Sequence, residues 1–202
     1  MYRRSKYSNP EVNLEEGLNL FQSFDRVETC GQQDTIECPS GVNGKISVDE
    51  SGERNHGELV NGPTELDDCK LGDCLSFDGD DDYVATQYSE QFNRTTVSVW
   101  VNLSGTPSGP TGGVLGRYHD AGNKEDLGLE YDKSSEEWRW AVQQQDDTRS
   151  SATAPATKGE WVHLVGVADP DAGDIRLFVN GEKVGVGSYS GDLMDTDANL
   201  SI

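Results

Sequence analysis

Histidine occurs only three times and methionine twice in this 202-residue chain, and no more than 33% of its residues are hydrophobic. Three histidines (His56, His119 and His163), none beside a serine or cysteine nucleophile motif, leave no triad for hydrolytic chemistry. No apolar run approaches the roughly 20 residues that cross a bilayer. The basic opening Met1-Tyr2-Arg3-Arg4-Ser5-Lys6-Tyr7 is not followed by the apolar core of a signal peptide. Basic residues are also scarce: 16 Lys and Arg stand against 37 Asp and Glu, a net charge of −21. Such a surface repels phosphate backbones and anionic headgroups, which excludes nucleic acid and membrane insertion as partners. There is no C-x-x-C pair for zinc, no EF-hand spacing and no internal repeat.

What remains is strand and turn. Trp161 to Asp169 is largely aliphatic and β-branched, Pro170, Asp171 and Gly173 break it, and Ile175 to Val179 resumes it before Asn180-Gly181, a strong hairpin signal. From Thr95 to Leu103 the pattern alternates, with Val97, Val99, Val101 and Leu103 on one face and Thr96, Ser98, Trp100 and Asn102 on the other. Leu127–Asp132 and Glu137–Gln144 read as a hairpin around Lys133-Ser134-Ser135, preceded by a strand that begins at Val114. Helical periodicity is hard to find, and 23 glycines punctuate the apolar runs. The expectation is one all-β sandwich with a thin, two-layered core.

Acids interleaved with well-formed strand patterns argue for adaptation to high salt rather than for disorder. In molar salt the Debye length falls to about 3 Å, so like charges no longer repel strongly and hydrated carboxylates keep the protein soluble. Cys30, Cys38, Cys69 and Cys74 form two close pairs, an even count that points to disulfides in an oxidising compartment. Three connectivities are open, local pairing being the simplest; Cys69–Cys74 would then clamp a tight turn before Leu75, and Cys30–Cys38 would close an insertion loop.

Five segments carry a family resemblance. Leu18-Asn19-Leu20-Phe21-Gln22-Ser23-Phe24-Asp25, Asp49-Glu50-Ser51-Gly52-Glu53-Arg54-Asn55-His56-Gly57-Glu58-Leu59, Leu75-Ser76-Phe77-Asp78-Gly79-Asp80-Asp81-Asp82-Tyr83-Val84, Thr95–Val101 and Trp161–Gly181 follow in the order seen in laminin-G-like domains of the concanavalin A-like lectin and glucanase superfamily. With its acidic composition the chain resembles a haloarchaeal form. The resemblance implies an antiparallel jelly roll over residues 14–202, after an irregular arm at 1–13. It also implies that the family's last segment lies beyond Ile202, so that the final strands are missing and the opening strand, expected at Leu18–Asp25, lacks their partnership. A longer protein, or a strand donated by a neighbouring chain, would supply it.

By function, the resemblance implies a non-catalytic recognition or adhesion module, extracellular or on the surface of a cell or virus particle, that binds a glycan or a surface protein. A structural subunit contacting neighbouring chains of an assembly, and more weakly a glycoside hydrolase, are the alternatives. The acids Glu130, Asp132 and Glu136 are the nearest match to a glucanase cluster, but Glu136 falls past the Lys133-Ser134-Ser135 turn. A ligand set is expected from Arg117, Tyr131, Trp138, Trp140, Gln143 and Gln145, since aromatic faces stack on sugar rings and amides fork to hydroxyls; the two tryptophans equally suit the core of a chain poor in large apolar residues. In similar domains a structural calcium ties the opening strand to the Ser-Gly loop, which carries over to Asp25, Asp49, Asn55 and the Gly57 carbonyl. Sequons at Asn93, Asn102 and Asn199 are candidate glycosylation sites if the chain is exported.

Overall fold

A computed structural model describes residues 18–31, 37–119, 124–194 and 196–202. The arm expected at 1–13 lies outside them. The described chain is all β: β1 (Gln22–Thr29), β2 (Lys45–Asp49), β3 (Gly57–Val60), β4 (Thr64–Leu66), β5 (Cys74–Ser76), β6 (Tyr83–Thr86), β7 (Thr95–Asn102), β8 (Thr111–His119), β9 (Lys124–Asp132), β10 (Glu137–Gln143), β11 (Arg149–Pro155), β12 (Trp161–Asp169), β13 (Asp174–Val179), β14 (Glu182–Ser188) and β15 (Leu200–Ser201). They form an antiparallel sandwich of a nine-stranded sheet, β1-β2-β3-β6-β15-β8-β9-β10-β11, and a four-stranded sheet, β14-β13-β12-β7, with β4 and β5 as a small separate hairpin.

Alternation decides what lies between the sheets. On β9 and β10, Leu127, Leu129, Tyr131, Trp138, Trp140 and Val142 point inward and are at most 1% exposed. They meet Val162 and Leu164 of β12 and Ile175 and Leu177 of β13, with Val97, Val99 and Val101 of β7 at the margin. The β12–β13 hairpin pairs Leu164 with Val179 through to Asp169 with Asp174, as its sequence pattern demands. Trp140 is the plug. Its indole lies against Gly166, where a Cβ would come within 2.5 Å of the ring, and its Nε1–H donates to the Val167 carbonyl at 3.0 Å. At one side of the sandwich the sheets nearly touch: a Cβ on Gly187 would lie 2.5 Å from the Ser151 carbonyl oxygen, so β14 approaches β11 through glycine.

One expectation is corrected. The opening strand is Gln22–Thr29 rather than Leu18–Asp25, because the Phe21 amide is held by the Asp49 side chain at 2.9 Å and the chain bulges between Gln22 and Val27, with Phe24 at φ 62°. Leu200 and Ser201 pair with Arg117 and Gly116 of β8, and Ser201 with Ala85 of β6, in the middle of the larger sheet. Val84 and Ile202 exchange backbone bonds of 2.7 and 3.0 Å, and the Thr86 hydroxyl donates to the Leu200 carbonyl at 2.7 Å. β1 ends the sheet, paired on one side with β2.

Overpacking of the plug gives a direct test. Gly166→Ala should destabilise the fold by about 1–3 kcal/mol, read as a lower urea midpoint with an unchanged slope.

Candidate functional site

Of the expected ligand cluster, four members do not reach the surface. Tyr131, Trp138, Trp140 and Arg117 are at most 1% exposed, a correction whose cause is parity: their strand positions face the opposite sheet. Gln143 is half-buried with its amide 3.4 Å from Asp147, and Gln145 is exposed in the following turn. Arg117 instead makes a buried ion pair with Asp126 at 3.0 Å, donates to the Glu90 carbonyl at 2.5 Å and lies over the rings of Tyr88 and Phe92. Asp126 opposes no residue of β8, because the register steps from Arg117↔Leu127 to Tyr118↔Glu125, and this bulge turns its carboxylate to the arginine. Thr196 donates to it at 3.4 Å. Desolvation by burial, only partly offset by Arg117, pushes the Asp126 carboxyl up to about 6.

The same parity that buries the tryptophans turns their neighbours outward. Arg139, between Trp138 and Trp140, pairs across the strands with Glu130, between Leu129 and Tyr131. Glu130 Oε1 accepts from Arg139 Nε at 2.7 Å and from Arg149 at 3.2 Å, with Arg139 Nη2 also in ion-pair contact at 2.7 Å, while Arg139 also reaches Asp132 at 3.1 Å. The Glu130 side chain is only 4% exposed; the guanidinium groups above it are 25% and 43% exposed. Beside them on β8, Tyr118 lies flat on the sheet. A Cβ on Gly116 would come within 2.5 Å of its ring, and Gly113 sits under its hydroxyl. The ring is 46% exposed. A half-exposed aromatic ring beside planar, charge-assisted donors over a buried carboxylate is a surface that can stack a ring and fork hydrogen bonds to its substituents. Sequence reasoning passed over Tyr118, Arg139 and Arg149, although the spacing Trp138-Arg139-Trp140 already implied an outward arginine once the tryptophans were placed inside.

Glu130 and Asp132 do share this face, but Glu136 sits in the hairpin turn at φ 58°, bound to Lys158 at 2.8 Å. Hydrogen bonds from Ser134, and from the Ser135 and Ser134 amides, hold the Asp132 carboxyl down to about 2. A glycosidase acid must stay protonated near neutrality, which Asp132 does not.

The calcium set is not assembled. Asp49 accepts from the Phe21 amide, the Ser51 amide and hydroxyl, and the Asn55 amide, all at 2.8–2.9 Å, which fills the four lone-pair sites of its carboxylate. Asp25 bonds the Asp73 amide at 2.7 Å, and the Asn55 side chain donates to the Asn19 carbonyl. The Gly57 backbone is paired into the sheet between β2 and β6. These residues do not fit a calcium ion in this arrangement. His56 Nδ1 accepts from the Asp49 amide at 3.0 Å, and desolvation lowers its pKa. Among the described residues, the carboxylates of Asp78, Asp81 and Asp82 come within 4.8 Å of one another on an exposed turn. Asn93 is exposed, yet its amide donates to Asp192 and accepts from the Leu193 backbone; Asn102 is half-buried and Asn199 is exposed. The cysteines pair locally, Cys30 with Cys38 and Cys69 with Cys74.

Residues 78–202 match the family model of the concanavalin A-like lectin/glucanases superfamily. The chain belongs to this superfamily. No curated protein matches the sequence. Among solved structures it is similar to the binding domain of Paraclostridial Mosquitocidal Protein 1, at 14% identity and a TM-score of 0.57 over 77% of this chain and 41% of that one. It is also similar to domain 4 of AbnA, a GH43 extracellular arabinanase from Geobacillus stearothermophilus in complex with arabinotriose, at 18% identity and a TM-score of 0.52 over 76% of each chain. A third is the ligand-binding domain of botulinum neurotoxin serotype D in complex with N-acetylneuraminic acid, at 17% identity and a TM-score of 0.50 over 77% and 42%. The chain thus spans less than half of the two toxin domains. At these identities the likeness establishes the fold.

The Asp126 shift sets a pH dependence. Between its ordinary value of 3.8 and about 6 the folded state holds a proton that the unfolded chain does not, so this group adds stability as pH falls through that window and none above it. The stability difference between wild type and Asp126→Asn should therefore grow in favour of wild type from pH 6.5 to pH 4, measured by urea denaturation at each pH.

Proposed function

We propose that this superfamily member is a non-catalytic recognition module that binds a saccharide on the outer face of its larger sheet. The observation that carries the reading is Tyr118: its ring packs over Gly116 and is still 46% exposed on the outer face of the larger sheet. Arg139 and Arg149, oriented by Glu130, supply donors for hydroxyl or carbonyl oxygens at the ring's flank. The arabinotriose complex of the arabinanase domain and the N-acetylneuraminic acid complex of the toxin domain, both on this fold, support a sugar ligand; fold by itself leaves function open.

The setting we infer is the surface of a cell or virus particle in high salt. Two disulfides favour an oxidising exterior, and a net charge of −21 is tolerated best where salt screens it. A protein partner recognised through the same face is the second form of this reading.

Glycan-array binding at molar salt tests the function, and selective binding of a saccharide is the expected result. Tyr118→Ala should then weaken the selected ligand by about tenfold or more, as loss of an aromatic anchor does, without lowering the urea midpoint by more than the loss of an exposed ring explains. Silence across the array, or full affinity in Tyr118→Ala, overturns it.

A further inference from the structure

The two sheets leave a side open opposite the glycine contact of β14 and β11. There the end strand of the larger sheet is β1 and the end strand of the smaller sheet is β7. One short loop touches both. From Cys69 to Cys74, it is anchored on β1 where the Asp73 amide donates to Asp25 Oδ1 at 2.7 Å, and Gly72, at φ +68°, comes so close to the Asp25 carboxylate that a Cβ has no room. On the other side Lys70 Nζ stands 4.8 Å over the ring of Trp100 of β7, which is itself stacked with His163 of β12 at 5.0 Å. The loop's own backbone is tied by the Cys69 amide to the Gly72 carbonyl at 2.8 Å, and by the disulfide.

We propose that the Cys69–Cys74 loop is a reducible latch across this open side, holding β1 to the β7 edge while the disulfide is intact. The noncovalent contacts are weak without it. An exposed carboxylate–amide bond and an exposed cation–π contact contribute little each, and β4 and β5, with three residues apiece, make a hairpin too short to stand alone. Both cysteines are half-buried on a loop whose other members are mostly exposed; in the second disulfide Cys38 is half-buried too but Cys30 is 5% exposed, so attack can reach either sulfur of Cys69–Cys74 and only one of the other pair, which favours Cys69–Cys74. In that exchange a dithiol reductant transfers two electrons and two protons: its thiols close to a disulfide, and Cys69 and Cys74 become free thiols. Release takes Lys70 off Trp100, which is already 36% exposed, and frees the outer edge of β1 to accept another strand. The saccharide face around Tyr118 lies elsewhere and is not involved.

Amide hydrogen exchange separates a latch from a general staple. Under non-reducing conditions, Cys69→Ser/Cys74→Ser should exchange about tenfold or more faster at Asp73 and along Gln22–Thr29, with β9, β10 and β12 unchanged. Its tryptophan emission should shift in the direction produced by Lys70→Ala, and Cys30→Ser/Cys38→Ser should leave Asp73 and Trp100 as they were. Mild dithiol treatment of wild type, followed by alkylation and mass spectrometry, should label Cys69 and Cys74 before Cys30 and Cys38. Unchanged exchange at Asp73 and β1, a uniform rise through β9–β12, or earlier labelling of Cys30 and Cys38 overturns the proposal.

Discussion

The seating of Trp140 on Gly166 is the constraint from which the rest of the molecule follows. With so few large apolar side chains available, the sandwich needs its biggest rings inside, and an indole between two sheets about 10 Å apart requires a residue without a side chain opposite it. Gly166 meets that need in the middle of β12, a position where glycine would otherwise weaken the strand. The indole N–H would be an orphan there, and the Val167 carbonyl on the same facing strand takes it. Trp140 thereby fixes the separation, the register and the relative shift of the sheets together.

Once Trp140 is fixed inward, the alternation of β10 sends Arg139 outward, and the antiparallel register brings Glu130 beneath it. The face proposed for recognition is thus the reverse of the core. The sequence shows this coupling in one direction only. Trp138 and Trp140 are visibly two apart and so on one side, but the pattern holds two readings, ligand platform and core, that differ by which side is buried. A thin hydrophobic content favours the core reading, and the structure adopts it. Tyr118 was hidden for another reason: its value depends on Gly116 under the ring and Gly113 under the hydroxyl, residues two and five away that a linear sequence shows only as a strand glycine and the last glycine of a loop.

Other parts were readable for plain physical causes. The β12–β13 hairpin, the alternation of β7 and the β9–β10 hairpin are specified by short-range pattern and turn chemistry, and they stand where expected. Long-range closure is not local. Nothing in Leu200-Ser201 announces that it separates β6 from β8, since its partners, Ala85, Gly116 and Arg117, lie over 80 residues upstream. The Asp49 knot misled for a related reason. A carboxylate in an Asp-x-Ser-Gly loop has the chemistry of a cation ligand, yet here it is saturated by backbone and hydroxyl donors, and sequence alone does not reveal how many N–H groups will converge on an oxygen.

A polar pair under the central strand completes the logic. Arg117 faces inward at the level of Leu200, where an aliphatic residue would pack without cost. Replacing a buried pair by apolar residues is often neutral or stabilising, so the pair is not explained by stability. What it does is specify partners: its donors and acceptors bring together the Glu90 carbonyl, Asp126 and Thr196, three segments far apart in sequence that converge beside Leu200. A leucine there would accept any apolar neighbour and leave the late strand free to slip by two residues without penalty. A slipped late strand would keep the Arg117–Asp126 pair but take the Thr196 hydroxyl from the buried Asp126, and that loss disfavours the slip. In a chain whose core is thin and whose acidic residues outnumber its basic ones 37 to 16, nonspecific hydrophobic contact discriminates poorly between registers of a two-residue strand, and the Thr196 hydrogen bond to the buried Arg117–Asp126 pair adds a directional contact where salt screens it least.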